Sequence, residues 1–207
     1  MHIEVEQNTP EWFEARKGHL NASTAASAAG LKGSYDSRAA CWRQYMGVEK
    51  KDLNAAMAFG SAHEEDARFS AEVTLGHVSW PVGIFIHDNH DFLASSPDGR
   101  FLGVGLHEIK CRDTEPYQSI SAQHFCQIQV QLACASYQHC YFQSWTPEEQ
   151  RIWLVEKNDH YFDWLLPLLE EFWGYILEGA EPPTVRPRRV YPEEINYQLV
   201  YEGPLNG

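Results

Sequence analysis

The chain has 207 residues, 43% of them hydrophobic and 22% charged, which excludes a disordered composition and suits one domain over residues 1–207. Its longest apolar runs, such as residues 164–169, fall far below the roughly 18–20 residues of a membrane span. The net charge of −13 taken as a whole argues against a nucleic-acid partner, because that affinity comes largely from Lys and Arg neutralising phosphates.

The first predicted helix opens at Thr9-Pro10-Glu11, with Thr as cap, Pro in the first turn and an acid near the positive dipole end. It runs to about Gly18. A short Ala/Ser-rich helix follows and stops near Gly30, and a third covers residues 37–46, closed by Gly47. A longer helix spans residues 53–75 and ends at Gly76, with Gly60 as its soft spot. Residues 77–82, 83–87 and 92–95 are short, rich in β-branched and aromatic side chains and punctuated by turn residues, so they read as strands. Another strand covers residues 106–111, after the glycines at 99, 103 and 105. Residues 121–137 read as a helix, and residues 138–145 and 150–157 as a hairpin around Thr146-Pro147-Glu148-Glu149. The last amphipathic helix, residues 159–178, is expected to bend at Pro167. A proline-rich tail follows from Gly179, and its basic cluster Arg186-Pro187-Arg188-Arg189 reads as solvated. This order predicts an α/β (α+β) domain, a central mixed β-sheet flanked by helices.

Met1-His2-Ile3-Glu4-Val5-Glu6 has neither the basic start nor the apolar stretch of a secretory signal, so a cytoplasmic protein is expected. Cys41, Cys111, Cys126, Cys134 and Cys140 form an odd set with no CxxC pair, unlike a disulfide framework or a zinc site, and read as reduced thiols partly in the core. The acid is unevenly placed. Glu148, Glu149, Glu156, Asp159, Asp163, Glu170, Glu171, Glu178 and Glu181 crowd one stretch. Residues 1–50, with Arg16, Lys17, Lys32, Arg38, Arg43 and Lys50, are close to balance. Net charge alone therefore does not exclude a phosphate-bearing substrate.

The stretch that carries chemistry is Ser96-Pro97-Asp98-Gly99, followed by Glu108-Ile109-Lys110. In a strand, residues i and i+2 share a face, with Cα atoms about 6.6–6.8 Å apart, so Glu108 and Lys110 point together while Ile109 turns into the core. Nine residues separate Asp98 from Glu108, room for a hairpin turned through the loop at 99–105 that sets Asp98 beside Glu108. Two carboxylates, a lysine and the carbonyl of Ile109 would then converge. Carboxylates are the hard ligands that Mg²⁺ takes, and one or two such ions can activate water on a phosphodiester. As a bare pattern, a turn Asp-Gly and a surface Glu/Lys pair read the same way.

Five segments together resemble the lambda-exonuclease (phage-type alkaline exonuclease) family of the PD-(D/E)xK nuclease superfamily. They are Trp12-Phe13-Glu14-Ala15-Arg16 with Asn21-Ala22-Ser23; Phe59-Gly60-Ser61-Ala62-His63-Glu64; Ser95-Ser96-Pro97-Asp98-Gly99; Glu108-Ile109-Lys110-Cys111; and Gln127-Ile128-Gln129. They run in the family's order across roughly residues 8–145. The resemblance implies a restriction-endonuclease-like core, with Asp98, Glu108 and the Ile109 carbonyl as magnesium ligands and Lys110 as the catalytic lysine. Glu64 and Gln127 would complete the catalytic site from neighbouring helices. Arg16, Ser23 and Ser96 resemble a pocket for a 5′-terminal phosphate, consistent with arginine's bidentate grip on phosphate. Met57 lies where the family places an apolar wedge between end bases, although a core methionine fits as well. Asp88 stands where the family can carry an acid, and its His87-Asp88-Asn89-His90-Asp91 run equally suits a polar turn. His124 departs from the family, which carries an aromatic residue there.

The expected activity is therefore Mg²⁺-dependent (Mn²⁺ as an alternative, two ions with substrate bound) 5′→3′ digestion of one strand of double-stranded DNA from its ends to mononucleotides. By resemblance the partners are DNA ends, two further copies in a homotrimeric ring, and a single-strand annealing recombinase, with no membrane. The rivals are a structure- or sequence-specific endonuclease of the same superfamily and a non-catalytic DNA-end binding protein. The acidic stretch and the C-terminal third carry no residue assignment.

Overall fold

A computed structural model describes residues 1–49 and 54–205. Lys50, counted above among the bases, and Leu53, the expected start of the long helix, lie outside the described residues. The elements in chain order are β1 His2–Ile3, α1 Pro10–Arg16, β2 Leu20–Asn21, a 3₁₀ turn Ala22–Thr24, α2 Ala25–Ala28, α3 Arg38–Tyr45 and α4 Ala55–Leu75. Then come β3 Ser79–Trp80, β4 Ile84–Ile86, β5 Leu93–Ser95, β6 Gly99–Phe101, β7 Gly105–Cys111 and α5 Ala122–Ala135. The chain closes with β8 His139–Trp145, β9 Glu149–Glu156, α6 Asp159–Glu178 and β10 Gln198–Pro204.

The cap read at Thr9 is in place, and four more helices are capped in the same way. Thr9, Ser37, Asn54, Ser121 and Asn158 each accept the orphan N–H of the residue three places on, and Gly76 and Gly179 end α4 and α6 in the left-handed region at φ +71 and +67.

The mixed α/β character holds, but the strands form two sheets rather than one. Four run in the order β1-β4-β5-β2 and six in the order β10-β9-β8-β7-β6-β3. Both are mixed: β2 pairs parallel with β5 and β7 parallel with β8, while the other pairs are antiparallel. The parallel β7–β8 pair requires a crossover, and α5 supplies it.

Residues 123 to 134 of α5 are all buried, the mark of a helix enclosed on every side. Phe125, Ile128, Val130 and Leu132 join Leu20, Leu93, Leu106, Phe142, Leu165 and Phe172 in the main core. Four of the five cysteines are buried, and all are free.

Two expectations need correction. The loop expected at 99–105 is largely strand, because Gly99–Phe101 pairs with β7 and leaves only a tight turn. The tail is not all irregular: Gln198–Pro204 adds a strand to the open edge of β9. Helix α6 continues through Pro167, which lies on the exposed side, where the carbonyl it leaves unpaired can reach water.

Candidate active site

The β6–β7 hairpin sets the site. Gly99 faces His107 and Phe101 faces Gly105, which brings the end of the 96–99 turn alongside Ile109. The Ile109 N–H donates to Asp98 Oδ2 at 2.6 Å. Ile109 itself is 6% exposed and packs with Ala67 and Trp145, a burial worth roughly 2 kcal/mol. Because a one-residue slip would turn every side chain over, this anchor fixes Glu108 and Lys110 on the opposite face, toward α5.

Glu108 is 2% exposed and held from three sides. Its Oε1 accepts from Gln127 Nε2 at 2.6 Å and from the Lys110 ammonium, and its Oε2 accepts from Gln131 Nε2 at 2.6 Å. Gln127 and Gln131, one helical turn apart, share a face of α5. A carboxylate offers about four lone-pair positions, so one on Glu108 stays open. The Asp98 Oδ1 accepts no hydrogen bond from the described residues. Burial, and then the Glu108 charge, push the Asp98 carboxyl well above its ordinary value. Burial works against the Lys110 ammonium, but Glu108 and Asp98 outweigh it and hold Lys110 above the usual lysine value. The cluster is thus short of positive charge.

Glu64 and Arg68 reach the same cluster from α4. Arg68 Nη2 bonds Glu64 Oε1 at 2.8 Å, and Nη1 donates to the Asp98 carbonyl at 2.8 Å. Burial raises the Glu64 carboxyl, with Glu108 adding to the rise and Arg68 opposing it. Gly99 permits this approach, since a Cβ there would lie 2.5 Å from Ser79 Oγ and 2.6 Å from Arg68 Nη1. A buried polar layer fixes α4 on the sheet: His107 bridges Ser79 Oγ and Gln143 Oε1 at 2.9 and 3.0 Å, and Gln143 Nε2 bonds the Ala67 carbonyl and Gln150 Oε1. Burial holds His107 neutral, its pKa near 3. Beside the cluster opens a cleft of about 470 Å³ with Glu64, Arg68 and Asp98 in its lining.

The expected site residues fall into three groups. Asp98, Glu108, Ile109, Lys110, Glu64 and Gln127 come together. Arg16 and Ser96 meet through Trp12, whose ring lies 4.1 Å below the Arg16 guanidinium and whose Nε1 donates to Ser96 Oγ at 3.0 Å. The Ser96 hydroxyl proton goes to the Gly83 carbonyl, so only an acceptor position is left there. Ser23 is exposed, and its carbonyl accepts from Gln123. Met57 is 39% exposed in the first turn of α4, not a core methionine.

Asp88 pairs with the Met1 ammonium at 2.7 Å on the surface and shares no contact with the carboxylate cluster. The tail arginines are not merely solvated: Arg189 bonds Glu171 and the Ala29 carbonyl, and Arg188 bonds Ser34. Gln129 turns away from Glu108 and ties β9 to the start of α6 through the Glu156 carbonyl and the Asn158 N–H. Gln131 and Arg68 escaped the sequence reading, although each stands four residues after an assigned residue, at helical spacing that repeats the face.

The comparisons with known proteins follow this geometry. The family model of the YqaJ-like viral recombinase domain matches residues 11–138. Among solved structures, the alkaline exonuclease LHK-Exo from Laribacter hongkongensis is similar at 26% identity and a TM-score of 0.69, over 83% of this chain and 94% of that one. The same scores hold for LHK-Exo in complex with dAMP. A phage-related exonuclease from Haemophilus somnus 129PT, at 10% identity, shares the fold with a TM-score of 0.65 over 77% of this chain and 94% of that one. No curated protein matches the chain. Among the described residues, no helix is long and apolar enough to cross a membrane.

Proposed function

Because the chain belongs to the family of the YqaJ-like viral recombinase domain, we propose that it is a Mg²⁺-dependent 5′→3′ exonuclease. On this proposal a single domain over residues 1–207 degrades one strand of duplex DNA from its ends to mononucleotides and leaves 3′ single strands for an annealing recombinase. The coarse form, an exonuclease of the phage recombinase family, rests on the family match and on the likeness to LHK-Exo. The observation that carries the finer form is the convergence of Asp98, Glu108 and Lys110, with Glu108 gripped by α5.

The donor set fits Mg²⁺. Among the described residues no three His, Cys, Asp or Glu side chains form a closed cage. Mg²⁺ needs none, since it is commonly held by one or two carboxylates together with waters and substrate phosphate. Asp98 Oδ1 and the open position on Glu108 are free to bind, with the Ile109 carbonyl as a third donor. Burial raises the Asp98 and Glu64 carboxyls and the Glu108 charge adds to both rises, so a cation placed among the three carboxylates would relieve their repulsion. Bound at this place, Mg²⁺ with Mn²⁺ as substitute, one ion or two with substrate, would supply an activated water and neutralise phosphate charge.

The chain's own residues do the rest. Gln127 and Gln131 hold the Glu108 carboxylate in one orientation, the outer-shell role that positions a ligand. Lys110, kept protonated by Glu108 and Asp98, places its positive charge where charge builds on the phosphorane-like transition state. Glu64, oriented by Arg68, is the third carboxylate within reach of an attacking water. Arg16, stacked on Trp12, offers a fixed guanidinium to a 5′-phosphate. A ring of three copies around DNA would let topology replace dense phosphate contacts, which suits a chain of net charge −13.

The test is a digestion time course on linear and covalently closed duplexes, with 5′-phosphate or 5′-hydroxyl ends, with and without Mg²⁺. Linear 5′-phosphorylated duplex should disappear fastest, only with Mg²⁺, while the closed circle stays intact. Arg16→Ala should lose the preference for a 5′-phosphate. Cutting of the closed circle would replace the exonuclease with an endonuclease, and no metal-dependent cutting of either would overturn the nuclease reading.

A further inference from the structure

Beside Lys110 lies an aromatic cluster that the chemistry above does not use. Tyr35 is 64% exposed, yet it is not a loose surface ring. Its hydroxyl bonds Nε2 of the buried His124 at 2.6 Å, and its N–H donates to Oε1 of the buried Gln123. The same Gln123 donates to the carbonyl of Ser23, and the next residue, Asp36, is held by its N–H on Ser27 Oγ.

His124 meets Tyr35 and Tyr117 edge-on, with centroids 5.9 and 5.0 Å away, and packs behind them on Phe142. The Arg112 guanidinium lies 4.3 Å from the Tyr117 ring centre. Tyr117 is pinned in turn: its N–H donates to Ser144 Oγ at 2.9 Å, and its carbonyl accepts from Arg151 Nη1 at 3.2 Å. Ser144, which holds Tyr117, is the β8 residue paired with Lys110, and His124 stands three residues before Gln127 on α5, so the cluster adjoins the carboxylate site.

A ring this exposed gains little from core burial, and its hydrogen bonds instead fix its direction. Aromatic rings flanked by cations are what unpaired nucleobases stack on, without regard to sequence, while the cations attract the backbone. A ring already held in one rotamer loses little entropy when a base lands on it. We propose that Tyr35, Tyr117 and Arg112 form a base-stacking shelf for unpaired nucleotides at the DNA end, next to the scissile phosphate. The proposal rests on the nuclease reading for its substrate, and its test separates the two.

The probe is a 5′-phosphorylated duplex whose last three base pairs are mismatched and carry 2-aminopurine on the 5′ strand. Binding is read in EDTA by anisotropy and by quenching of the 2-aminopurine. Tyr35→Ala should weaken binding about tenfold and abolish the quench, the loss expected for one stacked base. Tyr35→Trp should restore both, and Tyr35→Leu neither. With abasic sites in place of the three end nucleotides, wild type and Tyr35→Ala should bind alike. In Mg²⁺, Tyr35→Ala should raise KM with kcat unchanged. Unaltered binding and quench in Tyr35→Ala, or full rescue by Tyr35→Leu, would overturn the shelf. A wild-type protein that stacks the probe but never cuts it would sink the nuclease reading and leave the shelf standing.

Discussion

Gln131 offers a quantitative check on how Glu108 is held. In Gln131→Met the side-chain volume is nearly kept, so no cavity opens, but the N–H bond to Glu108 Oε2 at 2.6 Å is lost. A hydrogen bond to a charged acceptor contributes about 1.5–3 kcal/mol. Against that loss, Gln131 carries a buried Oε1 with no partner among the described residues, and removing such an orphan relieves about 1–3 kcal/mol. The two effects nearly cancel, so the single substitution should cost only about 1 kcal/mol.

The informative measurement is therefore a double-mutant cycle with Glu108→Gln. The orphan oxygen is removed in both arms and drops out. What remains is the difference between a charge-assisted and a neutral bond, about 1 kcal/mol given that the former is roughly twice as strong. Urea unfolding in EDTA, followed by tryptophan fluorescence, gives the four free energies. Gln131→Met should cost clearly more with Glu108 than with Gln at that position. Additivity within about 0.3–0.5 kcal/mol, the range for independent sites, would refute the claim that α5 grips the Glu108 side chain through Gln131.

Three further outcomes are expected. Lys110→Ala and Asp98→Asn should each abolish cutting, but with opposite effects on stability. Asp98→Asn removes a negative charge from a carboxylate-rich cluster and should unfold at an unchanged or higher urea midpoint, whereas Lys110→Ala leaves the buried Glu108 without its cation and should unfold at a lower one. Full activity in either variant would remove that residue from the chemistry. Gly99→Ala should cost about 1–3 kcal/mol as overpacking and should lower turnover by displacing Arg68 from the Asp98 carbonyl, read by thermal unfolding and a nuclease assay side by side. For His124, burial, with Lys110 and Arg112 adding to it, lowers the pKa to about 3, against about 6.5 in the unfolded chain. The unfolded chain then takes up a proton the folded chain refuses, so stability falls as pH drops below about 6.5, by up to about 1.4 kcal/mol per pH unit. His124→Phe should flatten that fall whatever its offset at pH 7.5, and parallel stability curves for the two proteins would contradict it.

Much of this architecture was legible because it is written in local rules. The cap at Thr9 and the glycines at 47 and 76 marked helix ends, and the alternation across Glu108-Ile109-Lys110 told which side chains share a face. What escaped depends on distant partners. Nothing in residues 198–204 announces a strand, because that segment becomes one only by adding to the edge of β9. The split into two sheets follows from α5 being enclosed on all sides, a tertiary outcome that its run of Gln, Ile, Val and Leu does not specify. Arg188 and Arg189 read as solvated until Ser34, Ala29 and Glu171, far off in sequence, receive them. In the candidate site the two anchors of β7 were readable, whereas Gln131 and Arg68 were hidden by looking like ordinary helix residues.

The charge distribution bears on how so acidic a chain can work on a polyanion. Glu148, Glu149, Glu156, Asp159, Asp163, Glu170, Glu171, Glu178 and Glu181 are all exposed, at the β8–β9 turn, the end of β9, along α6 and just beyond it. Helix α5 covers the face of β7 that carries Glu108, and α6 packs on α5 and α2, so most of this acid lies behind a further layer of protein. These carboxylates face solvent, where salt screens an exposed charge over about 10 Å at 0.1 M. Part of the acid is also matched locally, since Glu171 bridges Arg38 and Arg189, and Glu181 faces Arg43. At the carboxylate cluster, by contrast, Lys110 bonds Glu108, and Arg68 bonds Glu64 and the Asp98 carbonyl. A phosphate approaching that side meets these cations beside the carboxylates of Asp98, Glu108 and Glu64, so a bound divalent cation would have to tip the local balance, while the remote acid acts only at long range, where screening has reduced it.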